Sequence, residues 1–285
     1  MKNILIICLL FFSTEAFCKK VQIENNIGKR LNGFHYTNAK SKSIALILHG
    51  TRGHQNLELI TSLGSALLEN NIDSLSVNLS YGIDNRANDF LPCDIKHKHL
   101  QSDSINEIKL WFNYIQKLGY EKIYLIGHSR GGLNIMQFYH NLNTSDKLLV
   151  NSIFLIAPIS DFFHNTRKTY EKKYNIDITK IKKENYKILK IEFLGCADTE
   201  VSNKTFLDYY DIDSENSLIG LLQLTNQNIY IITASEDTFV PNTYKRIQNM
   251  KKKQNIKLIM IEDADHFFRD FYFDDLIDVL LDKIK

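Results

Sequence analysis

Residues 123–136 read IYLIGHSRGGLNIM: a short apolar run, then Gly127, His128, Ser129, Arg130, Gly131 and Gly132, then residues with helical spacing. Such a stretch is either a tight turn without chemistry or a sharp strand-to-helix bend that holds Ser129 out as a nucleophile. The five residues from Gly127 to Gly131 fit G-x-S-x-G, and the bend explains the glycines. Strand and helix meet so closely there that neighbouring side chains would clash. The helix that follows also points its N-terminal dipole at any negative charge that develops. A nucleophilic serine needs a base, an acid and an oxyanion pocket as well, so the rest of the chain decides between the readings.

Outward from this bend the chain alternates. Val21–Ile23 and Gly33–Thr37 read as short strands joined by the turn NNIG, and SIALILH (43–49) as a strand buried on both faces. Strands are also expected at Ser74–Leu79, Ile123–Ile126, Ser152–Ala157, Asn228–Ala234 and Lys257–Ile261. Helical spacing covers Asn56–Glu69, Gln101–Leu118 and Gly131–Asn141. Strands alternating with helices imply an α/β fold, a mostly parallel central sheet with helices on both faces. About 70 residues separate the strand ending near Ala157 from the one starting near Asn228, far more than one helical crossover needs. An inserted cap, about residues 161–227, is expected there. Residues 161–190 carry nine Lys/Arg against four Asp/Glu. That charge reads first as a solvated face, and second as a weak contact with anionic surfaces.

The partners of Ser129 follow in order. ASEDTFVP (234–241) offers Asp237 just past a strand, and EDADHFFRD (262–270) offers His266 just past the last strand. Glu236, next in the chain, and Asp161, in APISD, are rival acids. HGTRGH (49–54), GHSRGG, SEDTFVP and ADHFFRD together make the chain resemble the α/β-hydrolase superfamily over about residues 31–285. ADHFF is most similar to its dienelactone-hydrolase-like and small esterase branch. The resemblance implies a Ser129–Asp237–His266 triad, with the backbone amides of Thr51 and Arg130 as the oxyanion hole. It implies acyl transfer from a small-molecule ester, thioester or lactone to water. No HGGG loop is present, so a simpler HGT pocket is expected. Arg86, after the strand ending at Leu79, is expected on the rim of the site, touching substrate or packing the rim. A silent binding or interaction protein on the same fold, and a hydrolase of small amides or peptides, are the competing functions.

The remaining sequence sets the setting. The formal charge of the 285 residues is +2, too small to argue for nucleic acid, and no cofactor motif is recognised. MKNILIICLLFFSTEAFCKK carries Lys2, an apolar core from Ile4 to Phe12 and a small-residue stretch. It reads as a signal peptide over residues 1–18, cleaved after Ala16 or Cys18. The mature chain, residues 19–285, is then one periplasmic or secreted domain without a transmembrane helix, and an uncleaved membrane anchor is the alternative. Cys93 and Cys196 would be the thiols left, either bridged or free. His97 and His99, near Cys93, are too few to argue for a metal site, and none is expected.

Overall fold

The structure is a computed structural model that describes residues 17–160, 163–210 and 215–284. The apolar core of the expected signal peptide and the rival acid Asp161 lie outside the described residues. An eight-stranded sheet runs through the molecule in the order β1-β2-β4-β3-β5-β6-β9-β10. In chain order these are β1 (Phe17–Glu24), β2 (Arg30–Thr37), β3 (Ser43–Leu48), β4 (Asp73–Val77), β5 (Lys122–His128), β6 (Val150–Ile156), β9 (Ile229–Ala234) and β10 (Ile256–Ile261). The first two strands pair antiparallel, and β2 meets β4 antiparallel; every pairing from β4 to β10 is parallel. Two further strands, β7 (Ile188–Phe193) and β8 (Cys196–Ser202), form a separate antiparallel hairpin.

The continuous apolar runs end up where such runs belong. From Ile44 to Leu48 and from Ile123 to His128 every residue is buried, because helices cover both faces. On one face lie α1 (Glu58–Glu69) and α10 (Tyr272–Ile284); Leu59, Ile60, Leu63 and Leu67 pack with Leu276, Ile277 and Leu280. On the other lie α2 (Gln101–Lys117), α3 (Arg130–His140) and α8 (Leu218–Leu224), which bring Ile108, Trp111, Phe112, Ile135, Phe138 and Leu221 together. The short helices α4 (Thr144–Leu149) and α9 (Thr243–Gln248) complete this layer. β1 runs longer than Val21–Ile23 because Phe17 to Lys20 pair in register with Phe34 to Thr37 of β2.

Between β6 and β9 the described residues form α5 (Phe163–Tyr174), α6 (Ile178–Ile181), the β7–β8 hairpin, α7 (Asn203–Tyr210) and α8. A small core of its own, with Ile178, Ile191, Phe193, Val201, Phe206 and Tyr209, holds most of this insert. Its last helix, α8, packs instead on α3 in the main core. Along residues 167–192, Arg167, Lys173 and Lys187 pair with Glu171, Glu192 and Glu184, so part of the basic charge is neutralised locally.

The insert is fastened to the 93–99 loop. His97 N–H donates to the Glu200 carbonyl at 2.8 Å, Ser202 N–H to the His97 carbonyl at 2.9 Å, and Thr199 Oγ1 to the Cys93 carbonyl at 2.6 Å. Cys93 and Cys196, left open by the sequence, are joined in a disulfide with Cα atoms 5.3 Å apart across a separation of 103 residues. Closing a loop of that length is worth up to about 4.7 kcal/mol in the chain-entropy view. Reduction is therefore expected to lower the unfolding free energy by about 2–5 kcal/mol, read from urea curves with and without reductant. Alkylation of Cys93 and Cys196 without reductant would contradict the bridge.

Candidate active site

Ser129 stands alone between β5 and α3 with φ +55° and ψ −122°, a region costly for a residue with a side chain. The surroundings hold it there. Its N–H donates to the Ile156 carbonyl at 2.8 Å, and its carbonyl accepts from Gly132 and Ile159 at 3.0 and 3.2 Å. The flanking glycines are steric necessities: a Cβ on Gly127 would lie 2.5 Å from the Gly131 carbonyl oxygen, and one on Gly131 2.5 Å from that of His49.

The loops after β9 and β10 bring Asp237 and His266 together. The imidazole Nδ1 lies 2.7 Å from Asp237 Oδ2, both side chains being buried. The other carboxylate oxygen accepts the amides of Phe239 and Val240 at 2.8 and 2.9 Å. Burial alone would raise the Asp237 pKa, but the hydrogen bonds from His266 and these two amides outweigh it and hold the carboxyl below its ordinary value. With Nδ1–H donated to Asp237, Nε2 is the nitrogen left for chemistry. Ser129 and His266 line the same cleft, about 390 Å³ in volume. Glu236 is exposed.

His128, unassigned by the sequence, braces His266. Its ring packs on His266 with centroids 4.7 Å apart, and its Nε2 lies 2.9 Å from the His266 carbonyl. Burial, then the neighbouring His266, push its pKa down to about 3. It is therefore neutral, and its single proton sits on Nε2, donated to that carbonyl. The signal was its place beside Ser129 in GHS, which carries no meaning until the fold is closed.

Thr51 and Arg130 are brought side by side: Arg130 Nε donates to Thr51 Oγ1 at 3.3 Å and Nη1 to Gln101 Oε1 at 3.0 Å. The guanidinium also lies 5.4 Å from the Tyr209 ring centroid and 5.9 Å from that of Tyr210. As the first residue of α3, Arg130 has an amide without an intrahelical acceptor. A Cβ on Gly50 would come within 2.9 Å of Ser129 Cβ, so the turn carrying Thr51 runs directly against the serine. The walls come from distant segments: Phe90, Ile159, Leu194, Tyr210, Phe239 and Phe267. Phe239, 66% exposed, lies over the His266 ring at 4.9 Å.

Of the two roles open to Arg86, its surroundings match packing. Its side chain does not line the cleft but is buried behind it, with Nε, Nη1 and Nη2 each 2.7 Å from the carbonyls of Leu79, Asp89 and Gly53. A guanidinium held by three carbonyls fixes the loops behind the Thr51 turn. His97 and His99 pair through Nδ1 and Nε2 at 3.2 Å, while His99 Nδ1 contacts the Tyr209 hydroxyl at 3.0 Å. Among the described residues no three His, Cys, Asp or Glu side chains gather as a metal site. A larger cavity, about 590 Å³, lies between the β1–β2 turn and α2 and contains none of Ser129, Asp237 and His266.

A family model described as the alpha/beta hydrolase fold matches residues 46–175. The chain has the α/β-hydrolase fold. Solved structures agree with this α/β-hydrolase assignment. Est1E from Butyrivibrio proteoclasticus superposes with TM-score 0.68 at 17% identity, covering 93% of this chain and 98% of that one. A putative hydrolase from Agrobacterium vitis S4 gives 0.67 at 14%, covering 95% and 100%. The α/β hydrolase GrgF from Penicillium sp. sh18 gives 0.64 at 16%, covering 94% and 96%. Est1E has also been solved with ferulic acid bound. No curated protein matches the sequence. No helix among the described residues of this α/β-hydrolase chain is long and apolar enough to cross a membrane.

Proposed function

We propose that this chain is an exported serine hydrolase that cleaves ester, thioester or lactone bonds of small, largely apolar substrates through an acyl-enzyme. The observation that carries the reading is the buried His266–Asp237 pair, 2.7 Å apart, opening on the same cleft as a serine held at positive φ. Ser129 Oγ attacks the carbonyl carbon and passes its proton to His266 Nε2, while Asp237 fixes the tautomer and stabilises the imidazolium. The amides of Thr51 and Arg130 receive the oxyanion, each such donor being worth about 3 kcal/mol. His266 returns the proton to the leaving oxygen as the C–O bond breaks. Water, deprotonated by His266, then releases the acid and restores Ser129. The aromatic walls suit an apolar substrate, and the bound ferulic acid of Est1E is consistent with that class. The signal-like N-terminus and the disulfide support export.

The acid is tested by substitution. Asp237→Asn, which preserves shape but loses the charge that orients the imidazole, is expected to lower kcat on the order of 10⁴-fold. Glu236→Gln should leave it unchanged. An active Asp237→Asn with a dead Glu236→Gln would move the acid one residue. The rate of the native chain should rise with pH, because a general base must be neutral to accept the proton. His128 and His49, held near 3 by burial, add no second step above pH 5.

A further inference from the structure

Beside the cleft lies a second groove, about 370 Å³, walled by Leu57, Leu59, Ile60, Phe267, Phe268 and Phe273. The two spaces share Leu57, His128 and Phe267 as lining, so these three side chains form the wall between them. That ring lies 5.1 Å from His266, 5.7 Å from His128 and 5.6 Å from Phe239, with the Arg269 guanidinium 5.9 Å from its centroid. The groove is apolar within and charged at the rim, where Glu58, Arg269 and Asp270 sit, as suits a molecule with an apolar body.

We propose that this groove binds the alcohol arm of the substrate, as a long alkyl or fused aromatic group reaching past Phe267. The inference rests on the serine-hydrolase reading and says which half of the ester goes where. His266 must protonate the leaving oxygen, so the alcohol lies against the imidazole rather than beside the oxyanion amides. Phe267 follows His266 in the chain and its ring borders that imidazole, so a group leaving on this side is directed along Phe267 into the groove. The acyl part stays in the cleft, against Phe90, Leu194 and Tyr210.

The test uses acetates of ethanol, butanol, octanol and 2-naphthol, with hexanoate and octanoate ethyl esters as the acyl series. At about fourfold per buried methylene, kcat/KM should climb along the alcohol series until the groove is full and change less along the acyl series. Ser62, half-buried on α1, lines the groove and not the cleft. Ser62→Trp fills it and should lower the octyl-to-ethyl acetate ratio of kcat/KM at least tenfold. Ser62→Leu, a milder change should the indole disturb α1, should lower it by less. Calorimetry of 2-naphthol against Ser129→Ala reads binding without turnover: the alcohol should bind, and more weakly once Ser62→Trp is added. Selectivity that follows acyl length, or naphthol binding indifferent to Ser62→Trp, overturns the groove while leaving the hydrolase intact. No hydrolysis of any ester overturns both.

Discussion

Ser129→Ala and His266→Ala are each expected to lower hydrolysis of an activated ester by on the order of 10⁵-fold or more, with the fold unchanged. Attack and proton transfer are one event, so removing either partner costs about as much as removing both. The double variant should therefore be no worse than either single one, and any residual rate comes from the oxyanion amides and binding. Folding should survive in Ser129→Ala. Alanine at this strained position removes one hydroxyl, and the backbone hydrogen bonds that Ser129 shares with Ile156, Gly132 and Ile159 do not involve it. Far-ultraviolet circular dichroism and the urea midpoint check that point alongside the rate. Additive losses would mean that the two residues do not work as a unit.

Acid should destabilise the protein steeply as the pH falls below about 6.5. Burial above all, with Arg86 near His49, His266 near His128 and His97 near His99, pushes the pKa of each of these three histidines down to about 3. In the unfolded chain a histidine titrates near 6.5. Below that pH the unfolded state binds a proton at each site that the native state refuses, so unfolding becomes easier as pH falls. The stabilisation is complete above about pH 6.5 and declines toward the folded values near 3, by about 1.4 kcal/mol per pH unit for each histidine. Three together give about 4 kcal/mol per pH unit once the pH is well under 6.5, enough for a mesophilic domain to unfold within two or three pH units. Asp237, held below its ordinary range, acts in the same direction only at lower pH. Urea unfolding at pH 7.5, 6 and 5 measures the slope. His49→Gln should reduce it by the share of one proton, and a flat profile would mean that the buried imidazoles protonate freely in the native state.

Much of the fold is legible in the sequence because its strands are continuous apolar runs and its motifs sit immediately after them. SIALIL, IYLI and IYIITA announce strands, and Ser129, Asp237 and His266 each follow an apolar run. What escapes is whatever depends on distant segments meeting. Arg86 follows a strand as a substrate-contacting residue would, yet the carbonyls that claim its guanidinium belong to Gly53, Leu79 and Asp89. The hairpin of β7 and β8 hides in ILKIEF, where lysine and glutamate alternate with the buried side chains in a stretch dominated by its basic neighbours. The pairing of Cys93 with Cys196 depends on that hairpin docking beside the 93–99 loop. The cleft walls, drawn from positions as far apart as Phe90, Leu194 and Phe239, exist only once the chain is folded. The role of His128 is of the same kind: its partner is a backbone carbonyl 138 residues away.

The most direct test of the central claim is peptide mapping by mass spectrometry after treatment with a fluorophosphonate. An activated serine loses its proton to His266 and displaces fluoride from phosphorus, leaving a stable covalent adduct. One equivalent of adduct on Ser129, absent from His266→Ala, is the expected result. An unlabelled native protein, or labelling on another residue with Ser129 untouched, would contradict a nucleophile at this bend.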